Sequence, residues 1–304
     1  MGKNLCAQLN NIKAGKAKCY GDVTVSEVFE YDIDSSAEDL DAYCRDCDFV
    51  VNLAGVNRPQ NADEFMQGNF GFASTLLDTL IKYNNKATIM LSSSIQATLI
   101  GRYDSDYGRS KKAGEELFFS YAKESGARVL VYRFPNLFGK WCRPNYNSAV
   151  ATFCHNVAND LPITVSDRNI QLELLYIDDL VEEMLDALEG KEHHCVYDGL
   201  NPVYTEDGRY CVVPTTHKVT LGEIVDLLKR TASTDSMDFA RGKLQVGVFK
   251  LEEDSPLIGM NMAEFSQLAA EEGHKFRVVA ISRGNDTIIP KFDTKFKYHD
   301  LVFI

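Results

Sequence analysis

Positive charge is scarce in this 304-residue chain: 32 lysines and arginines face 44 aspartates and glutamates, giving a formal net charge of −12. Nucleic acid and anionic membrane surfaces attract basic proteins, so neither is expected as the main partner. Long hydrophobic runs are also missing. None approaches the ~20 residues that span a bilayer, and no signal-peptide pattern opens the sequence, so membrane insertion and export are not expected. Eight cysteines without framework spacing read as reduced thiols, and the expected location is cytoplasmic. Metal-ligand spacing is lacking too. Cys44-Arg45-Asp46-Cys47 is a lone C-x-x-C, read as a coincidence at a helix end, and His193-His194-Cys195 has no second ligand pair at zinc spacing. No metal site is expected. What remains, 45% hydrophobic and 25% charged residues, describes an ordinary globular protein of about two domains on a prior of ~150 residues each.

The most informative stretch runs from Thr88 to Lys112, TIMLSSSIQATLIGRYDSDYGRSKK. Ile89-Met90-Leu91 is short and apolar enough for a buried parallel strand. Three serines follow, at the carboxyl end where open α/β sheets place their ligands. Tyr107 and Lys111 then stand four residues apart at the start of an amphipathic helix, on one face of it. A free tyrosine titrates near ~10 and carries protons poorly at neutral pH. A lysine cation beside it is expected to favour the phenolate, while a serine hydroxyl holds the substrate oxygen.

This constellation resembles the short-chain dehydrogenase/reductase superfamily in its extended, nucleotide-sugar branch. The resemblance implies a catalytic triad of Ser94, Tyr107 and Lys111, with Ser93 as the alternative serine. It also implies an α/β fold, a Rossmann-type doubly wound parallel sheet, with NAD or NADP as cofactor. Such a fold opens with a strand and a glycine-rich turn whose backbone approaches the pyrophosphate. Here the chain opens with a helical pattern, and Gly2-Lys3-Asn4-Leu5 matches only the tail of that motif. The sheet is therefore expected to lack its first strand, as a misplaced start codon or a fragmentary reading frame would leave it. Val23–Tyr31 is expected as the second strand, ending at Asp32, an acid placed to accept ribose hydroxyls. The strand Asp48–Leu53 leads into Leu53-Ala54-Gly55-Val56-Asn57-Arg58-Pro59, small residues that let backbone lie against a dinucleotide. Asn69 stands where relatives carry an asparagine on the next helix, with a helix cap as its plainer reading.

Farther along, RFPNLFGKWCRPNYNS follows the strand Val129–Tyr132. With SSSIQAT, LAGVNRP and HKVTLGEIVDLL it resembles the CapF-type family of capsular polysaccharide synthesis enzymes over about residues 2–230. That resemblance implies a nucleotide-sugar pocket lined by Asn136, Lys140, Trp141 and Asn145, with Arg168 on the pyrophosphate of a UDP-sugar. Amides and cations suit phosphate and hydroxyls, and an aromatic face suits a ring. Asp178, in Tyr176-Ile177-Asp178-Asp179, is read as a structural acceptor. The cupin domain that completes that family is not recognisable after Leu228.

Instead, SPLIGM, VVAISRGNDTIIP and FKYHDLVFI resemble the TrkA C-terminal (RCK_C) domain of potassium-uptake regulators. Strands are expected at Lys243–Leu251, Phe276–Ile281, Thr287–Pro290 and Asp300–Ile304, with a helix at Met262–Ala270, as a small α+β module. The family is of βαβ type and commonly dimerises, so a homodimer is expected. The expected domains are a reductase over 1–230, a linker over 231–239 and the module over 240–304. The implied reaction is hydride transfer at C4 of a UDP-linked deoxy amino sugar, with a 4-epimerase or 4,6-dehydratase as alternative. Ser94-Ile95-Gln96 lacks the acid a dehydratase needs. A non-catalytic regulatory or interaction protein, its reductase portion a relic without cofactor, is the reading from another class. A join by recombination or sequence assembly is the expected origin of two such resemblances in one chain.

Overall fold

The computed structural model describes residues 1–17, 23–56, 63–233, 236–238, 245–251, 253, 255–271, 278, 280–283, 286–291 and 293–303. Asn57, Arg58 and Pro59 of the LAGVNRP motif, the strand starts expected at Lys243 and Phe276, and Ile304 lie outside them. The chain forms two compact units, Met1–Thr152 with Asp167–Leu221 and Phe153–Ser166 with Gly222–Ile304.

In the first unit, β1 (Phe49–Asn52), β2 (Thr88–Ser94) and β3 (Val129–Phe134) run parallel. The strand β4 (Asn136–Phe138) pairs with β5 (Gln171–Tyr176) in a separate small sheet. The main sheet is completed by β6 (His194–Asp198), β7 (Asn201–Tyr204) and β8 (Tyr210–Cys211), in the order β1-β2-β3-β8-β6-β7. β8 joins parallel to β3, and β6 then runs antiparallel to both β8 and β7. The last strand, β9 (His217–Thr220), pairs antiparallel with β5.

Alternation along β2 and β3 explains why both faces need helices. Ile89, Leu91 and Val131 face one apolar cluster, shared with Leu40, Leu76, Leu80 and Phe118. Met90, Leu130, Tyr132 and Phe134 face the other, shared with Leu5, Leu180 and Met184. The helices behind the first cluster are α2 (Ala37–Asp46), α4 (Phe72–Lys82) and α5 (Asp106–Ser125). Those behind the second are α1 (Gly2–Lys13) and α7 (Ile177–Leu188). A short α3 (Asp63–Met66) runs through a π-helical turn, Gln67–Gly71, into α4, and α6 spans Ala149–Ala158. The doubly wound arrangement is thus as expected.

Val23–Tyr31, expected as a strand, is not one. The segment makes no ladder pairing and is anchored by side chains instead. Val23 and Val25 pack on the second cluster, Phe29 stacks on Tyr43 at 4.6 Å, and Tyr31 stacks on Phe72 at 5.6 Å. Asp32 consequently ends no strand. It sits in an exposed turn, accepting the Ile33 amide at 2.8 Å, just ahead of the Ser36–Asp39 capping box that starts α2.

In the second unit, α8 (Leu221–Ser233) precedes β10 (Ser236–Asp238), β11 (Gln245–Lys250), α9 (Met262–Glu271), β12 (Ala280–Arg283), β13 (Asp286–Ile288) and β14 (Leu301–Phe303). The stretch 231–239 thus holds the end of α8 and β10, with Thr234, Asp235 and Phe239 outside the described residues. The sheet order is β10-β11-β14-β12-β13, every pair antiparallel. Because β11 and β12 both oppose β14, they run parallel to one another with α9 between them, a βαβ pattern. Its core is Leu251, Phe265, Ile281, Phe296 and Val302, with Phe265 and Phe296 packed edge to face at 5.4 Å. Among the described residues no helix is long and apolar enough to cross a membrane.

Candidate active site

Two local devices bring β2 and α5 together. Ser94 ends β2 in extended conformation and caps a 3-10 turn, Ile95–Thr98, by accepting the Gln96 amide at 3.2 Å. Ser105 caps α5 by accepting the Gly108 amide at 3.1 Å. Gly108 is needed because a Cβ there would lie 2.6 Å from the Gln96 carbonyl oxygen and 2.4 Å from that of Tyr103. Without a side chain, the first turn of α5 closes on the segment that follows Ser94. This sets the Tyr107 hydroxyl beside that of Ser94, which draws the phenol pKa down against the effect of burial.

Lys111 is buried one turn farther on and donates to the Ser92 carbonyl at 3.1 Å. Burial brings its pKa down to about 8, against an upward pull from Glu115. The Tyr107 phenol is pushed up by burial, and the Ser94 hydroxyl draws it partly back. The expected depression of Tyr107 by the lysine cation does not appear. The ammonium, 5.8 Å from the ring centroid, is directed to the β2 carbonyl, and desolvation dominates.

Beside the lysine lies a cradle of bare backbone. A Cβ on Gly55 would fall 2.7 Å from Asn69 Oδ1 and 3.0 Å from Lys111 Nζ. Asn69 is no helix cap. Its Oδ1 accepts the Val56 amide at 2.9 Å, and its Nδ2 donates to the Val56 carbonyl at 3.2 Å and to Ser110 Oγ at 3.0 Å. The loop after β1 is thereby clamped to α5, with Ala54 held by Asn52 Oδ1 at 3.1 Å. A glycine cradle next to a buried ammonium at the ends of parallel strands fits a dinucleotide.

The profile of the NAD dependent epimerase/dehydratase family matches residues 1–198. The chain belongs to that family. The TrkA-C domain profile matches residues 246–304. UDP-2-acetamido-2,6-beta-L-arabino-hexul-4-ose reductase of Pseudomonas aeruginosa is 38% identical over 204 residues, covering 67% of this chain and 51% of the reductase. UDP-glucuronate 4-epimerase 1 of Arabidopsis thaliana is 33% identical over 88 residues, 28% of this chain and 20% of that protein. The chain thus spans about half the length of the reductase it matches and less of the epimerase. Among solved structures, the capsular polysaccharide assembling protein CapF from Staphylococcus aureus is 34% identical with a TM-score of 0.59, covering 85% of this chain and 70% of that one. UDP-glucuronic acid 4-epimerase from Bacillus cereus shares the fold at 17% identity, with a TM-score of 0.53 over 76% of this chain and 70% of that one.

In this epimerase/dehydratase-family chain, contacts join Ser94, Tyr107, Lys111, Gly55 and Asn69. The other residues singled out from the sequence lie on separate supports. Gly2 begins α1 close to Leu53, its Cβ direction pointing at Leu53 Cδ1, 3.8 Å away. Asn136 donates to the Glu173 carbonyl at 3.1 Å, tying β4 to β5. Lys140 pairs with Asp178 at 2.8 Å, so Asp178 is the acceptor it was expected to be. Trp141 is 65% exposed and, like Asn145, has positive φ, on the loop after β4. Arg168 is exposed in a turn before β5. Elsewhere, Cys44 is buried, with its thiol pushed up to about 12 by desolvation, and Asn85 hydrogen-bonds Cys47. His193 Nδ1 lies 2.7 Å from Glu183 and His194 Nε2 lies 2.9 Å from Glu192.

The sequence reading passed over Glu115 and Arg133. Glu115 is wholly buried and takes both its oxygens to the Arg133 guanidinium, at 2.8 and 2.6 Å. Ser93, the alternative catalytic serine, donates to the same carboxylate at 2.5 Å, which leaves Ser94 as the serine on Tyr107. The available signal was spacing: Glu115 stands at i+4 from Lys111 and i+8 from Tyr107, on one helix face.

Proposed function

We propose that this chain is an NAD(P)-dependent oxidoreductase acting at C4 of a UDP-linked deoxy amino sugar, in the making of a capsular or surface polysaccharide precursor. The observation that carries this reading is the Ser94–Tyr107 pair, held next to Lys111 and the Gly55–Asn69 cradle. The likeness to a UDP-sugar 4-ketose reductase supports it. When bound, the nicotinamide supplies hydride to, or takes it from, the sugar carbon. Ser94 donates a hydrogen bond to the C4 carbonyl oxygen and fixes its direction. Tyr107 passes its phenolic proton to that oxygen as charge develops there, and the Lys111 ammonium stabilises the phenolate left behind. Backbone at Leu53, Ala54 and Gly55, with Asn69, Lys111 and Gly2, would hold the dinucleotide. Asn136, Lys140, Trp141, Asn145 and Arg168 would hold the UDP-sugar.

Deuterium placed on the transferring carbon of NADH or NADPH is expected to appear at C4 of the product from a 4-keto UDP-sugar. Product formed without the label would exclude direct transfer. A 4-epimerase, favoured by the 33% identity to one over 88 residues, would return the hydride and consume no cofactor.

We assign residues 1–230 to this reaction, 231–239 to a connection and 240–304 to a regulatory module through which the chain pairs as a homodimer. The full chain should sediment as a dimer and a chain ending at 239 as a monomer. A dimer from both would place the pairing surface elsewhere.

A further inference from the structure

We propose that Glu115 is a positioning residue for this reaction, one that holds the strand end carrying Ser94 against the helix carrying Tyr107 and Lys111. The proposal rests on the reductase reading of the same site. Ser93 and Arg133 are direct partners in the β2–β3 register, and Glu115 reaches both from α5, so a single carboxylate joins three elements at the sheet's carboxyl edge. Ser93 is the residue next to Ser94, and any slack in this tie displaces the Ser94 hydroxyl from Tyr107.

Arg133 is held in its turn. Its guanidinium lies 4.0 Å from the Tyr210 ring centroid and 5.0 Å from that of Tyr197, and it donates to the Tyr210 hydroxyl at 2.8 Å. The Tyr197 hydroxyl donates to the Arg133 carbonyl at 3.3 Å. Strands β6 and β8 therefore brace the back of the site, and Glu115 transmits that bracing to the triad. The carboxylate also supplies negative charge beside a buried ammonium. Facing Lys111 are Tyr107 and Glu115 from its own helix, Ser92 from β2, Asn69 from the π-helical turn and Gly55 from the loop after β1. Of these, Glu115 brings the opposite charge, and Arg133 stands on the far side of it. Without that carboxylate, the Arg133 guanidinium would lose its buried partner and Lys111 the negative charge acting on it.

An ion pair that served stability alone would lower the melting temperature when altered and leave the chemistry of surviving molecules unchanged. Ser93→Ala removes the tie to the strand end and keeps the Glu115–Arg133 pair. It is expected to lower kcat by on the order of 10- to 100-fold with KM for the UDP-sugar unchanged, as misplacement of a catalytic group does. In Glu115→Gln the same loss should accompany a shift of the alkaline limb of kcat/KM to lower pH. The titration of Lys111 provides a readout independent of turnover. Protein with 13C at the lysine Cε, its Lys111 signal assigned by loss in Lys111→Met, should show a midpoint that falls in Glu115→Gln. Unchanged kcat in Ser93→Ala together with an unchanged midpoint in Glu115→Gln would overturn the proposal. If the unaltered protein reduces no 4-keto UDP-sugar, the reductase reading fails, and the Lys111 midpoint still decides the role of Glu115. If Glu115→Gln does not fold, the kcat of Ser93→Ala decides it.

Discussion

Replacing Tyr107 by phenylalanine is expected to lower turnover of a 4-keto UDP-sugar by on the order of 10²–10⁴. The substitution removes one oxygen and leaves the ring. Phe65 packs on that ring at 5.7 Å between centroids, and the Cβ-free approach at Gly108 is untouched, so the first turn of α5 keeps its place. Lys111, Asn69 and Gly55 do not depend on the hydroxyl, and cofactor affinity, measured by calorimetric titration, should change little. What is lost is the group proposed to hand a proton to the C4 oxygen. Ser94 remains and can still donate a hydrogen bond, which is why a residual rate is expected. Near-full activity in the phenylalanine variant would show that the proton comes from another group, and the triad assignment would be wrong.

The sequence made some of this site visible because its periods are local. Tyr107 and Lys111 announce themselves by an i,i+4 interval, and the serines by their place at the end of an apolar run. The Gly55 loop was legible for a similar reason, since small residues after a strand have few other uses. Glu115 and Arg133 were not, because a buried ion pair formed across 18 residues leaves no mark in composition. Either residue alone reads as an ordinary charge on a helix or strand. Val23–Tyr31 failed in the opposite direction. Its valines and aromatics carry strand propensity, but propensity is satisfied only where a ladder is on offer. Here the aromatic side chains found stacking partners, Tyr43 and Phe72, and the backbone formed no ladder. The Tyr107 phenol teaches the same lesson in electrostatics. Spacing places a cation near it, but the orientation of that cation and the depth of burial decide which way the phenol shifts.

The largest stability effect is expected in the carboxyl-terminal module, from Asp300→Ala. Asp300 is wholly buried, and its carboxylate accepts Arg283 Nε at 2.7 Å, Arg283 Nη2 at 2.8 Å and the Lys297 amide at 2.8 Å. Arg283 ends β12 and Asp300 immediately precedes β14, so the pair pins two neighbouring strands together. The same turn is locked by the Leu251 amide on the Asp300 carbonyl at 2.9 Å and the His299 amide on the Leu251 carbonyl at 2.9 Å. Truncating one member of a buried ion pair costs roughly 3–5 kcal/mol, and the 29% exposure of the Arg283 side chain argues for the lower end, about 3. A core this small supplies only ~3–5 kcal/mol in total. The variant module should therefore be left with only ~0–2 kcal/mol, marginally stable, while the first unit, with its two separate clusters, keeps its own transition. Calorimetry of the full chain should show the module's transition lost or strongly lowered. A thermogram unchanged from the parent would mean that the pair contributes nothing to the module. The pH dependence gives an independent check. Burial alone would push the Asp300 carboxyl up, but the Arg283 and Lys297 hydrogen bonds and the charges of both side chains hold it below its ordinary value. A carboxyl depressed in the fold contributes its full stabilisation above the unfolded pKa of ~3.9 and loses it as pH falls through the lower folded value. The parent module should therefore hold its melting temperature down to about pH 4 and fall below that pH toward the level of Asp300→Ala, whose own profile should lack that step.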